Sequence, residues 1–292
     1  MANIATTIDE QISILNSRGM SFSDLGIEKA KELLLDIGYY RLGFYWHYFE
    51  IDDKHNFAED STLLDAIKLY YLDVDLRNIL SKYLYRIEVN FRTKVIYYVS
   101  NKYNNSPTWF NDSKIVEDEF INQLKIIYNS NFIKCNYPIK KHHSKYINDK
   151  YAPAWKTLEF FTFGQVFKLF KNLKDETLKL EIANTYGIKD VKKFENHISS
   201  IINVRNICSH SAVLFDFYQP KGIHKIPSNR YKLKTRNQTN LNSSIRLILF
   251  YLSKVSQNRA EELEEQLKKI IIQAMENQVL KRNIDSHICF DL

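Results

Sequence analysis

The chain has 292 residues, 45% hydrophobic and 26% charged, a composition of the soluble globular class that allows one large domain or two small ones. Only 7 Gly and 5 Pro, beside 19 Tyr and 18 Phe, leave too few turn signals for an all-β sandwich or a Gly-rich nucleotide fold, and long helices joined by short loops fit better. The net charge of +7 is compatible with a polyanionic partner without identifying one.

Thr7 to Arg18 reads as a short helix, and Ser23 opens a second whose Ile27, Ala30, Leu33, Leu34 and Ile37 keep helical spacing until Gly38. An aromatic block, Tyr39 to Trp46, leads to a polar loop from Asp52 to Ser61. Leu63 to Tyr103 then runs about forty residues without Pro or Gly, the longest helix candidate, with room for one break. Pro107, Pro138 and Pro153 punctuate a middle region with one helix, Val116 to Asn129, followed by a loop-like basic run from Lys140 to Lys145. An apolar helical pattern restarts at Pro153 and continues through Phe167 and Phe170. Further helices cover Glu176 to Tyr186, ended by Gly187, and Val191 to about His210. After an irregular stretch from Tyr218 to Asn240, the segment Ser244 to Lys281 reads as one helix with a charged face.

Cys135, Cys208 and Cys289 are odd in number and form no CxxC pair, which indicates neither a disulfide framework nor a zinc site. The first residues lack the basic and apolar regions of a signal peptide, and no apolar stretch is long enough to span a bilayer. A cytoplasmic protein without membrane association is therefore expected. His142 and His143 have no accompanying Cys or carboxylate cluster, so no metal site is assigned there. No Walker run, GxGxxG or GxSxG elbow occurs, which removes nucleotide hydrolysis and serine-esterase chemistry from consideration.

Phe217 to Ala260 contains no Asp or Glu but carries Lys225, Arg230, Lys232, Lys234 and Arg236 among its cations, and Lys140, Lys141 and Lys145 form a second basic group. Phosphate attraction and an ordinary solvated surface are equally good readings of such runs. Chemistry is concentrated in Arg205-Asn206-Ile207-Cys208-Ser209-His210. Ile201, Val204 and Cys208 share one helical face and leave Asn206 and His210 on the polar side. Arg205 and His210 are five apart, about 140° around an ideal helix, and cannot stack side by side. Their convergence needs the reach of Arg across a groove, unwinding near Ser209, or a second subunit. Such a trio suits RNA, whose 2′-hydroxyl is a built-in nucleophile that needs only proton transfer and charge neutralisation at the phosphate. Histidine can move the proton near neutral pH, and arginine can hold phosphate oxygens in a forked grip. An Arg with a His five residues on is common by chance, and taken alone the spacing favours a solvated His at a helix C-terminus over a catalytic one.

The chain resembles the Abi-like family, bacterial abortive-infection proteins of the AbiD and AbiF kind within the HEPN superfamily, over most of residues 30 to 217. Its elements stand in family order: Ile37-Gly38-Tyr39-Tyr40-Arg41-Leu42 with Tyr45-Trp46; Leu76-Arg77; Arg86-Ile87-Glu88-Val89 with Arg92; Pro153-Ala154-Trp155 with Glu159 and Phe163-Gly164; and Val204 to His210. The family continues beyond the motif with a polar residue, an Arg and an aromatic-Asn pair, where this chain has Ser211, Val213 and Phe215-Asp216.

The resemblance implies an all-α HEPN-type helical bundle forming one domain over 1–292. It would comprise an N-terminal helical extension (1–60), a core (61–217) with a loop-rich insertion at about 130–155, and a basic loop with a C-terminal helix (218–292). It implies a metal-independent, cofactor-free endoribonuclease toxin of phage defence or a toxin-antitoxin system, with Arg205, Asn206 and His210 catalytic. The partners it implies are an RNA substrate, a small structured antitoxin RNA and a second copy of the chain. Glu88 and Arg92 have the spacing of a local helix ion pair. Arg41 and Arg86, set among aromatic residues, fit packing, carbonyl capping or stacking, and with Arg92 are also candidates for RNA contact. Trp155 reads as a core residue beside Glu159. The alternative to catalysis is an RNA-binding protein that holds a structured small RNA without turnover; a protein-interacting regulator is a third.

Overall fold

The computed structural model describes residues 4–210, 212–233 and 238–291. Ser211, Lys234 and Arg236 lie outside the described residues. Among those described the fold is all α, with three isolated β-bridges and no sheet.

Helix α1 (Ile8–Ser17) starts at Thr7, whose hydroxyl and the Glu10 carboxylate form a reciprocal capping box. Helix α2 (Ile27–Ile37) ends at Gly38, whose φ of +95° favours glycine and turns the chain into α3 (Tyr39–Trp46). A loop closed by bridges between Glu50 and Phe57 and between Ser21 and Thr62 delivers the chain to α4 (Leu63–Lys102). Thr62 caps α4 by accepting from the Asp65 amide at 3.1 Å. No Pro or Gly interrupts its 40 residues, so it runs unbroken for about 60 Å. Its buried residues, from Leu63 through Leu76, Leu84 and Phe91 to Val99, face several directions, because α4 is the spine against which α3, the helices after residue 162 and the aromatic core pack.

The middle region is more helical than its prolines suggest: α5 (Asp118–Ile127), α6 (Ser130–Cys135) and α7 (Tyr137–Lys145) follow in close order. The expected loop carrying Lys140, Lys141 and Lys145 is therefore a helix. Pro138 stands in its first turn, where a missing amide costs nothing, and Ile139 and His142 are buried. Helix α8 (Ala154–Thr157) and a 3₁₀ turn precede α9 (Phe163–Lys171), α10 (Glu176–Asn184) and α11 (Val191–Ser209). Trp155 is 51% exposed rather than in the core, because Ala154, Thr157 and Leu158 take the inward positions of that short turn.

The C-terminal segment is not one helix. Ser256, with φ −162° and ψ 116°, separates α12 (Leu241–Val255) from α13 (Gln257–Met275), which packs back on it, and α14 (Gln278–Asn283) follows. Every residue of Leu241–Leu252 is buried, whereas α13 buries only Ala260, Leu263, Leu267 and Ile271. A helix buried on every side belongs inside a bundle and an amphipathic one on its surface, so the two cannot continue in line. Among the described residues no helix is long and apolar enough to cross a membrane.

Candidate active site

Helices α4 and α11 run antiparallel, so that Arg205 meets Glu88 and His210, five residues on, meets Arg77. Asp190 caps α11 by accepting from the Lys193 amide at 2.8 Å; Phe194, Ile198, Ile201 and Val204 bury its inner face. Arg205 is one-third exposed and Asn206 is exposed. The helix stops at His210, an exposed residue with extended backbone (φ −116°, ψ 172°), whose amide donates to the Asn206 carbonyl at 3.0 Å. His210 and Asn206 are thus neighbours across the last turn, and the chain departs from the helix at the histidine.

Two acid–arginine pairs of α4 hold this end. Glu88 is buried; its Oε1 accepts from Arg92 Nη2 at 2.8 Å and its Oε2 from Arg205 Nε at 3.3 Å. Arg92 also donates to the Phe161 carbonyl at 3.0 Å and lies 3.8 Å from Glu159. With its Nε edge turned to Glu88, Arg205 directs Nη1 to Asn206 Oδ1 at 3.4 Å. Two turns or more back along α4, Arg77 Nη1 donates to the His210 carbonyl at 3.3 Å, and its Nη2 pairs with Asp73 at 3.1 Å. Asp73, fully buried, also accepts from the amides of Phe215 (2.6 Å) and Leu214 (2.9 Å) and from the Tyr45 hydroxyl (2.9 Å). Burial raises the Asp73 carboxyl above its ordinary value while Arg77, the two amides and Tyr45 draw it back, so the ion depends on all four donors.

Cys208, which lies between the motif residues, is no nucleophile: burial pushes its thiol up to about 12. Asp216 hydrogen-bonds His287 at 3.1 Å and so ties the post-motif segment to the C-terminal turn.

Arg205 meets Asn206 through its side chain, and His210 meets Asn206 through the backbone of the last turn, while other cations named from the sequence lie elsewhere. Arg92 is 7% exposed and engaged by Glu88, so it supports Arg205 and does not itself present a surface for RNA. Arg41 stacks on Phe44, Tyr45 and Tyr70 at 5.8–6.0 Å, one of the roles the sequence allows. Arg86 is exposed, not buried among aromatic rings. Lys140, Lys141 and Lys145 are exposed on α7, and Lys225 and Lys232 on the irregular segment; Arg230 is paired with Glu264 at 2.8 Å. Sequence reasoning found the Glu88–Arg92 pair but not its grip on Arg205, and it missed Asp73 and the capping action of Arg77. The signal it could have used is the repeated acid-x-x-x-Arg spacing on α4. Among the described residues no cluster of three or more His, Cys, Asp or Glu side chains is arranged for a metal ion.

No curated protein and no solved structure matches the chain significantly. The Abi-like protein family matches residues 32–216, well over half of the chain and every residue of the cluster from Tyr45 to Phe215. The chain therefore belongs to the Abi-like family, whose name denotes abortive infection, a defence against phage.

Proposed function

We propose that the chain is a metal-independent HEPN-type endoribonuclease, acting as a toxin in abortive infection or in a toxin-antitoxin system. The observation that carries this reading is the presentation of the motif: a side-chain clamp on Arg205 and a backbone clamp on His210 expose both beside Asn206 on one helix end. His210 takes the proton from a ribose 2′-hydroxyl, whose oxygen attacks the adjacent phosphorus. The bond from phosphorus to the 5′-oxygen breaks, leaving a 2′,3′-cyclic phosphate and a 5′-hydroxyl once that oxygen is protonated. Arg205 neutralises charge developing on the phosphoryl oxygens, and Asn206 orients the imidazole or holds a ribose oxygen. A homodimer would supply a second Arg205 and a second His210, the latter suited to protonate the leaving oxygen.

The test is cleavage of total RNA by RNA-free protein with EDTA present, comparing wild type with His210→Ala. Loss of cleavage with unchanged helical circular dichroism is expected; undiminished cleavage by a folded His210→Ala protein overturns the assignment. The attachment of Arg205 to Glu88 favours one second reading, a non-catalytic protein that holds a structured RNA, since a guanidinium already paired is a positioned cation before it is a catalyst. Tight RNA binding without turnover by wild type in the same assay would select it.

A further inference from the structure

The stripe of α11 that leads to Asn206 and His210 begins well upstream. Lys192, Asn196, Ser199, Asn203 and Asn206 follow one another at spacings of three and four, within a band about 80° wide. Arg205 lies outside this band, turned to Glu88 on α4. The upstream stripe floors a cavity of about 510 Å³, completed by Lys171 of α9 and by Pro220, Lys221 and His224 of the irregular segment.

That wall is fastened in place. Asn196 grips the segment with both ends of its amide: Nδ2 donates to the Gly222 carbonyl at 3.1 Å, and Oδ1 accepts from the His224 amide at 2.8 Å. Buried His197 donates through Nε2 to the His224 carbonyl at 2.8 Å. Asn203 donates to Gln219 at 3.0 Å, and buried Gln219 donates to the Ser200 carbonyl and the Ser244 hydroxyl, each at 3.0 Å. These bonds hold Lys221 and His224 beside Lys192 and Lys171 without engaging any of their charged ends.

The charges around the cavity are unlike their neighbours. Lys168 and Lys174, on either side of Lys171, pair with Glu119 at 2.9 Å and Glu117 at 3.6 Å, and Lys179 pairs with Glu176. Lys171, Lys192 and Lys221 are exposed, and among the described residues none has a carboxylate within ion-pair distance. The single acid of the lining, Glu195, is half-buried, and burial raises its carboxyl against the pull of Lys179 and Lys171. Three lysines and a histidine against one half-buried acid give the cleft a positively charged rim over a lining that includes the Phe167 ring.

We infer that this cavity is a phosphate-binding subsite for single-stranded RNA, in which Lys171, Lys192 and Lys221 neutralise backbone phosphates and Ser199 and His224 hydrogen-bond the strand. Seven residues of helix separate Ser199 from Asn206, about 10 Å along the axis, so a strand of a few nucleotides reaches both the subsite and the motif. Single-stranded RNA is the form such a subsite serves, because an unpaired strand can follow a basic groove with its backbone phosphates. The inference rests on the ribonuclease reading, and names where the substrate lies beside the scissile bond.

The test uses the full chain with His210→Ala to prevent cleavage, and a fluorescein-labelled single-stranded RNA of mixed sequence titrated by anisotropy at several salt concentrations. Adding Lys171→Gln, Lys192→Gln and Lys221→Gln should weaken binding at least tenfold at 0.1 M salt and reduce the log–log salt slope by about 2, three phosphate contacts at about 0.7 each. Removing the same charge at exposed Lys54, Lys114 and Lys281 should change affinity less than threefold. Unchanged affinity and slope in the first triple variant, with salt-dependent binding otherwise intact, overturns the subsite and leaves the ribonuclease reading standing. An equal loss in both triple variants reduces the effect to bulk charge and also overturns it. Absence of RNA binding by the His210→Ala parent at low salt sinks both.

Discussion

Asp73–Arg77 and Glu88–Arg92 are built alike, each an acid four residues before an arginine on α4, yet they act on different parts of the same motif. Asp73 accepts from the amides of residues 214 and 215, and Arg77 donates to the carbonyl of residue 210. Of the motif and the segment after it, that pair touches only main-chain atoms, and with the Tyr45 hydroxyl behind it, it sets the path by which the chain leaves α11. Glu88 instead holds a side chain, the guanidinium of Arg205, with Arg92 behind it. An ion pair aimed at backbone fixes a fold locally, whereas one aimed at a side chain fixes the direction of a functional group. Breaking the first should therefore register in stability, and breaking the second in function.

The largest effect belongs to Asp73. Asp73→Ala leaves two amides, the Tyr45 hydroxyl and Arg77 without their acceptor in a buried place, and should cost about 4 kcal/mol. A fall in Tm on the order of 10 °C would be read in a thermal melt. A loss under about 1 kcal/mol would show that the post-motif segment is held by something else. Glu88→Ala should cost less, about 2 to 3 kcal/mol, because Arg92 keeps the Phe161 carbonyl and nearby Glu159. Its isostere Glu88→Gln should cost under half of that and still lower RNA cleavage at least tenfold. Full activity in Glu88→Gln would break the contrast between the two pairs.

What the sequence discloses about this arrangement follows the distance over which each interaction is made. The course of α4 is legible because forty residues free of Pro and Gly carry a helical apolar pattern, and the end of α11 is legible because the motif is contiguous. The Glu88–Arg92 pair follows from spacing on one helix, but its third member is 117 positions away and enters only when α11 lies on α4. The part played by Asp73 is invisible for a different reason: its acceptor oxygens meet main-chain amides, which every residue possesses. The exposure of Trp155 is not legible because an aromatic residue in an apolar run suggests burial, while a one-turn helix after Pro153 has inward room only for Ala154, Thr157 and Leu158. The break at Ser256 carries no Gly or Pro; its trace in the sequence is the change from the apolar run Leu247–Leu252 to an amphipathic pattern.

A third clamp, about two turns before the motif, adds pH as a way of separating scaffold from site. His197 donates to a carbonyl through Nε2, which fixes Nδ1 as the acceptor for the Tyr251 hydroxyl at 3.3 Å. Burial pushes its pKa down to about 4, below the ordinary value near 6.5 of an unfolded chain. The neutral ring's contribution is therefore complete above about pH 6.5 and is lost as the pH falls toward 4, amounting to about 2 kcal/mol by pH 5. Wild type should melt lower at pH 5 than at pH 7, and His197→Gln, which cannot titrate, should lose most of that difference. An equal pH dependence in the variant would assign the effect to other groups.

The smallest change in stability, and the one that sharpens the comparison most, is expected from Arg205→Lys. Arg205 is one-third exposed and its bond to Glu88 is long, so replacing it should alter stability by under about 1 kcal/mol. Lysine has a single ammonium, which can meet Glu88 or a phosphate but lacks the separate edges with which Arg205 now faces Glu88 and Asn206. Cleavage should fall at least tenfold with the melt unchanged. If Glu88 acts on the chemistry by aiming Arg205, a Glu88→Gln/Arg205→Lys double variant should cleave RNA no more slowly than the worse of the two single variants, since the second change removes nothing the first has left. Losses that multiply instead would mean that Glu88 reaches the reaction by a route other than Arg205, and the second pair would then have to be reckoned with Asp73–Arg77 as part of the scaffold.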